Sequence, residues 1–380
     1  MLSEPTYLAA RIVASTIESH FADHIEAAQR LGVRNLAVKP PAYVIEAVID
    51  TAFWASLRRE EGHSPKISIA LLPPEAAGTP MIFEQRLRFT PYNLVKLAPA
   101  VERAGIHLGV WYEDDTLYVW GTTHVIPGIC FVCEVIEPGL LVIKHRRTDG
   151  FGKFVNIAIL KGDEIKIVDE ISSSLTDCPA LLTSLLGMPL PTFLGDSVNV
   201  LVELAASMRA HGRGGIVLIV PAQSSTWRAS VIHPVSYPVV PAYCGLADLI
   251  RMDPEERTKP YWQDALRRAI DLVGGFTAVD GATVINTEHE LLAFGAKITR
   301  ATGGAQVEQI IMTEPIVDST PVMMHPAQNG GTRHMAAAQF VYDQRAGQAM
   351  VASQDGHFTV FAWSDELQMV HAHRIDSLLL

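Results

Sequence analysis

Two short segments about 50 residues apart carry residue types suited to chemistry on a phosphate chain. Asp280-Gly281-Ala282 places a carboxylate at the start of a strand-like run, 280–286. Carboxylate oxygen is the ligand that Mg²⁺ or Mn²⁺ prefers, and such an ion neutralises a triphosphate and lowers the pKa of an attacking hydroxyl. Gly281 lets a backbone or ligand approach closely. The second segment, Asn329-Gly-Gly-Thr-Arg-His334, opens a helix-like run that reaches Phe340 and beyond. The first N–H groups of a helix are unpaired and its dipole favours an anion there. Gly330 and Gly331 can take the positive φ values of an anion-binding nest. Thr332 can cap the helix or offer its hydroxyl, Arg333 presents a fork of donors, and His334 gives one donor, or two when protonated. Together the segments point to metal-assisted chemistry on a nucleoside triphosphate. The plainer alternative is a turn before a strand and a capped helix with solvated side chains.

These residues need elements to hold them. Apolar spacing predicts a helix to about Ala210, capped at Asp196-Ser197, then a strand over 216–220. An extended, proline-punctuated stretch follows over 227–240, then a helix over 263–272. The runs 280–286 and 291–298 read as strands paired across 287–290, followed by a helix over 332–342 and a strand pair over 348–353 and 358–363. That order predicts a mixed β-sheet flanked by helices, an α/β domain spanning 190–380.

The two segments resemble the paired signatures of the diadenylate cyclase family, Asp-Gly-Ala and Gly-Thr-Arg-His-Arg. The resemblance covers roughly the last 190 residues. Met335 stands where the family has its second arginine, Ala278-Val279 where it often has Leu-His, and Ser353-Gln354 where it often has Ser-Glu. The resemblance implies a nucleotidyltransferase that condenses two ATP into cyclic di-AMP and releases pyrophosphate. It implies Asp280, Arg333 and His334 as catalytic residues and Asp280 as the ligand of Mg²⁺ or Mn²⁺. Gly281, Ala282, Gly330, Gly331, Thr332 and Ser353 would bind ATP. In that family two domains face each other, each holding one ATP, so a chain with one motif set is expected to form a homo-oligomer. Arg345 or a residue of a partner subunit is the candidate to replace the missing arginine. Met335 and Gln354 keep a second reading open: a degenerate member that binds ATP or senses a cyclic nucleotide.

Residues 1–185 read as a separate α+β domain. Helical spacing covers 5–33, 44–58 and 91–104, a short apolar strand covers 67–72, and six further strands lie between 107 and 168, expected as an antiparallel meander. Placed ahead of a cyclase, this module is expected to be a sensor whose small-molecule regulator the sequence does not name.

Composition narrows the classes. Hydrophobic residues are 48% and charged residues 19%, values of a folded globular chain and not a disordered one. The net charge of −11 argues against nonspecific nucleic-acid binding. The N-terminus lacks a basic and apolar leader, and the uncharged stretch from Cys178 to Gly195 is broken by Pro179, Pro189 and Pro191. A cytoplasmic protein without a membrane span is expected. Four cysteines make no disulfide framework, and Cys130 and Cys133, three apart in a strand, should face opposite sides. The basic run 144–147 reads as a solvated hairpin tip, with an anionic regulator as its functional alternative. Gly212-Arg-Gly-Gly215 precedes a strand and reads as a turn, not a dinucleotide loop. His371-Ala-His373 would put two imidazoles on one strand face, without an evident third metal ligand.

Overall fold

In a computed structural model, residues 5–114, 116–148, 154–169, 179, 182, 185, 192–257 and 259–380 are described. Asp149, Gly150 and most of 170–191 lie outside them. The architecture is mixed α/β: two β-sheets, each flanked by helices. Contacts divide the chain into two units, Met1–Val168 and Asp169–Leu379, with Leu380 grouped with the first.

The first unit opens with α1 (Leu8–Arg30) and α2 (Ala42–Ser56). β1 (Ile67–Leu71), β2 (Met81–Arg88), α3 (Pro91–Val101), β3 (His107–Glu113) and β4 (Thr116–Thr123) follow. Then come β5 (Phe131–Glu137), β6 (Leu140–Arg146), β7 (Phe154–Lys161) and β8 (Glu164–Ile167). The strand order is β2-β4-β3-β1-β5-β6-β7-β8. The expected meander is therefore corrected. β5 to β8 do form one, but β1 is inserted between β3 and β5, parallel to the first and antiparallel to the second. β1 is buried along its whole length, and a central position covers both of its faces; Ser68, its one polar residue, is paired there with His107 at 2.7 Å. Ile67, Ile69 and Leu71 join α1, α2 and α3 in the main core, while Ala70 and Leu72 join Trp120 and Cys130 in a smaller one. β2 escapes the sequence reading because nearly all of its residues are exposed or half-exposed and no apolar alternation marks it.

Cys133 lies in the main core and Cys130 in the smaller one, so their sulfurs do not converge. Burial pushes the Cys130 thiol up to about 12 and that of Cys133 further, which removes both from thiolate chemistry. The solvated tip expected over 144–147 is corrected for its first three residues. Lys144, His145 and Arg146 belong to β6; Lys144 is buried, 2.5 Å from Glu134 and 4.8 Å from the centre of the Phe154 ring.

In the second unit, α4 (Thr192–Ala210) leads into β9 (Gly215–Val220). The helix starts before Asp196-Ser197, which therefore lie inside it and not at its cap. β10 (Tyr237–Tyr243), α5 (Gly245–Arg251), α6 (Pro254–Arg257) and α7 (Pro260–Phe276) come next. β11 (Ala282–Asn286) and β12 (Leu291–Ala296) form the expected antiparallel pair. β13 (Ile310–Thr313), β14 (Val322–Met324) and α8 (Pro326–Asn329) precede α9 (Thr332–Asp343). β15 (Gln348–Ala352), β16 (Phe358–Ser364) and β17 (Met369–Arg374) close the chain. The nine strands run in the order β10-β12-β11-β9-β15-β16-β17-β13-β14. Ala337, Ala338, Phe340 and Val341 pack α9 on alternate residues of the sheet, among them Leu218, Val284, Val351 and Phe361. Small residues on this face of α9 let the helix lie close to the strands.

Candidate functional site

Strand register brings the two sequence segments together. Ala282 pairs with Ile216 of β9 and with Ala296 of β12, while Ala352 of β15 pairs with Gly215. The residues just outside these pairs, Asp280, Lys297 and Ser353, are thereby collected at one edge of the sheet. The N-terminus of α9 stands at the same edge. The result is a cleft of about 540 Å³ lined by Asp280, Gly281, Ala282, Lys297, Gly331 to His334 and Ser353 to Asp355, among others. Gly330 is absent from its lining.

The Asp280 carboxylate is 90% exposed and ion-paired with Lys297. That hydrogen bond holds its acid below the usual carboxylate range, with a smaller push from Arg333. Asp280 is thus ionised and accessible, the state required of a hard-cation ligand. It is not part of β11 but the second residue before it. Gly281 links it to the strand with φ +112°, and a Cβ there would lie 2.5 Å from the Gly295 carbonyl carbon. Only glycine meets both demands.

At the helix end, Gly331 is the N-cap residue and no side chain caps α9. Thr332 is the first helical residue, so its hydroxyl does not cap the helix as one sequence reading allowed. Its N–H and that of Arg333 precede the first i→i−4 bond of the helix. The nest expected at Gly330 and Gly331 is also corrected. Gly330 is extended, with φ 169°, and Gly331 has φ −76°. Glycine is needed at 330 for space: a Cβ would sit 2.4 Å from His334 Nδ1. Arg374 of β17 reaches the Asn329 carbonyl and side-chain oxygen at 3.4 Å and ties this loop to the sheet.

Arg333 and His334 differ in environment. The Arg333 guanidinium lies over Gly214, where the missing side chain leaves it room. His334 is buried, with Nε2 3.3 Å from the Thr359 hydroxyl. Burial, helped by Arg374, pulls its pKa down to about 4. It is neutral at pH 7, so the two-donor imidazolium considered from sequence does not form there. Ser353 shapes the β15–β16 turn, accepting a hydrogen bond from the His357 N–H at 3.1 Å. Gln354 donates to the Arg213 carbonyl at 3.3 Å, which joins the 212–215 turn to the same edge.

Two candidates go elsewhere. Arg345 stacks 3.9 Å from the centre of the Trp363 ring and lines a different depression, so it does not replace the missing arginine. His371 and His373 do stack on one strand face, 3.8 Å apart, but both meet the Thr313 hydroxyl, at 2.9 and 3.2 Å. Lys297 is the cleft residue that sequence reasoning missed. Its only signal was its place at the end of the strand-like run 291–298; the pairing of Ala282 with Ala296 is what brings it to Asp280.

Residues 34–124 match a family model described as "Probable sensor domain DACNV". That stretch runs from the segment before α2 through β4. No curated protein matches the chain. Among the described residues no helix is long and apolar enough to cross a membrane.

Proposed function

We propose that the second unit is a nucleotidyltransferase of the diadenylate cyclase type, joining two ATP into cyclic di-AMP with release of two pyrophosphates. The observation that carries this reading is the meeting of Asp280-Gly-Ala and Gly-Thr-Arg-His in one cleft. The cleft offers an exposed carboxylate, two cations in Lys297 and Arg333, and the N–H groups of an uncapped helix end. A triphosphate on the helix end would be bonded by the Thr332 and Arg333 amides and by the Arg333 guanidinium. Lys297 would leave Asp280 for the phosphates and supply the charge that Met335 does not. Neutral His334 would hold Gly330 and the loop in place. The residues fit Mg²⁺ or Mn²⁺, which commonly bind through one carboxylate plus substrate phosphates. When bound through Asp280, the ion supplies charge neutralisation and activation of the 3′-hydroxyl.

Each 3′-hydroxyl attacks the α-phosphate of the other ATP, forming a phosphodiester and expelling pyrophosphate. The one motif set of each chain would hold one of the two nucleotides, so the reaction needs two chains face to face. The first unit, through its similarity to a sensor domain, is read as the regulator of that encounter, responding to a small molecule. The Asp280–Lys297 pair favours one other reading, a nucleotide-binding protein without turnover, because it occupies the carboxylate that a metal needs. Incubation of the purified full-length chain with ATP and Mn²⁺, followed by mass spectrometry of the nucleotides, separates the two. Cyclic di-AMP supports the cyclase, and bound but unchanged ATP supports the binding protein.

A further inference from the structure

The first unit contains a second constellation that the cleft chemistry does not use. His20 and His24 lie four residues apart on α1 and so project from the same helix face. His145 of β6 meets them there. One ring nitrogen from each lies within 4.8 Å of the other two. The His20 and His24 rings stack 4.1 Å apart, and the His145 ring is 5.5 and 5.3 Å from them. His145 is buried and the other two are half-buried; Phe21 meets the His20 and His145 rings edge-on and in turn packs on Phe131.

We infer that His20, His24 and His145 form a three-histidine site for a borderline transition-metal ion, with Zn²⁺ the best fit. Three donors around a tetrahedral Zn²⁺ sit about 3.3 Å from one another, a modest contraction from the present spacing. The tautomer is already arranged for it. His145 Nδ1 lies 3.1 Å from the Arg146 carbonyl, so it carries the proton and leaves the Nε2 lone pair for the ion. A backbone acceptor on the far nitrogen is the usual support of a metal-bound imidazole. An all-nitrogen donor set excludes Mg²⁺ and Ca²⁺, which take oxygen. This site and the Asp280 cleft would therefore select different metals. Three protein ligands leave a fourth position open to water or to a small anionic or thiol ligand. The donors come from either side of the stretch 34–124, and an ion would clamp α1 to the sheet.

The test uses the full-length chain, freed of any affinity tag, titrated with Zn²⁺ against a chromogenic chelator and with Co²⁺ by visible absorption. We expect one tight Zn²⁺ per chain, tetrahedral Co²⁺ bands, and a raised unfolding temperature with the metal. His24→Gln, at a half-buried position that tolerates the change, should weaken binding by about 100-fold or more and abolish the Co²⁺ bands. His20→Gln should do the same, which covers the case that the buried His145→Gln misfolds. Asp280→Asn should leave this binding unchanged. Absence of stoichiometric Zn²⁺ binding, or binding that survives both helix substitutions, would overturn the assignment.

Discussion

Asp280 and Lys297 form an ion pair across the open end of the β11–β12 pair, one residue supplied from before the first strand and the other from after the second. The pair faces the cleft and its carboxylate is exposed, so it adds little to stability. Its meaning lies in exchange. A divalent ion can take the carboxylate only as the ammonium moves, and a triphosphate gives the ammonium somewhere to go.

Replacing Lys297 by Met should therefore act in opposite directions on two ligands. Without nucleotide, Mn²⁺ should bind Asp280 more tightly. With nucleotide, affinity for ATP should fall about ten- to a hundredfold, the effect of one charge-assisted phosphate contact. Calorimetric titration of each ligand checks this. Parallel changes in both affinities would sink the exchange.

Asp280→Asn should abolish formation of cyclic di-AMP while leaving the fold and most nucleotide affinity intact, since the residue is exposed and the volume change is small. Turnover measured by mass spectrometry, beside an unchanged circular dichroism spectrum, is the readout. An active Asn variant would reduce Asp280 to a turn residue.

Gly330→Ala should destabilise the second unit by about 1–3 kcal/mol, because the added methyl collides with the His334 ring. Gly331→Ala meets open space and should change stability far less. Denaturant unfolding of the two variants compares them directly, and equal losses would contradict the packing described.

Acid should weaken the fold through its buried histidines. Burial holds His334 and His289 at about 4 and His373 well below its ordinary value. The unfolded chain binds these protons first, near pH 6.5, so stability is complete above that pH and is lost as pH falls towards 4. Each histidine contributes a slope of up to about 1.4 kcal/mol per pH unit. Unfolding temperatures recorded from pH 7 to 4.5 should decline, and His373→Asn should flatten the decline if the variant folds; a flat wild-type profile would exclude the effect.

The cyclase mechanism also predicts an order of reaction. The rate per chain should rise with protein concentration until dimers saturate, and removal of residues 1–168 should alter that dependence. A concentration-independent rate from a monomeric chain would falsify the facing arrangement.

Much of this was legible in the residues. The runs read as strands over 67–72, 216–220 and 280–286 contain β1, β9 and β11, which are buried on both faces, although β11 starts two residues later than read; the α9 start follows from Gly331 and Thr332. Local sequence determines such features, since period and turn chemistry act over a few neighbours. It also singled out Asp280, Thr332, Arg333 and His334 as a set. The tertiary structure decided the rest. Insertion of β1 between β3 and β5, and of β9 between β11 and β15, depends on pairings between residues far apart in the chain. Those pairings set Lys297 opposite Asp280 and send Arg345 to Trp363. They bury His334 into neutrality and bring His145 to the His20–His24 face of α1. Charge state, cavity and ligand sets all arise from which surfaces exclude water together, and that is a property of packing that local spacing along the chain does not contain.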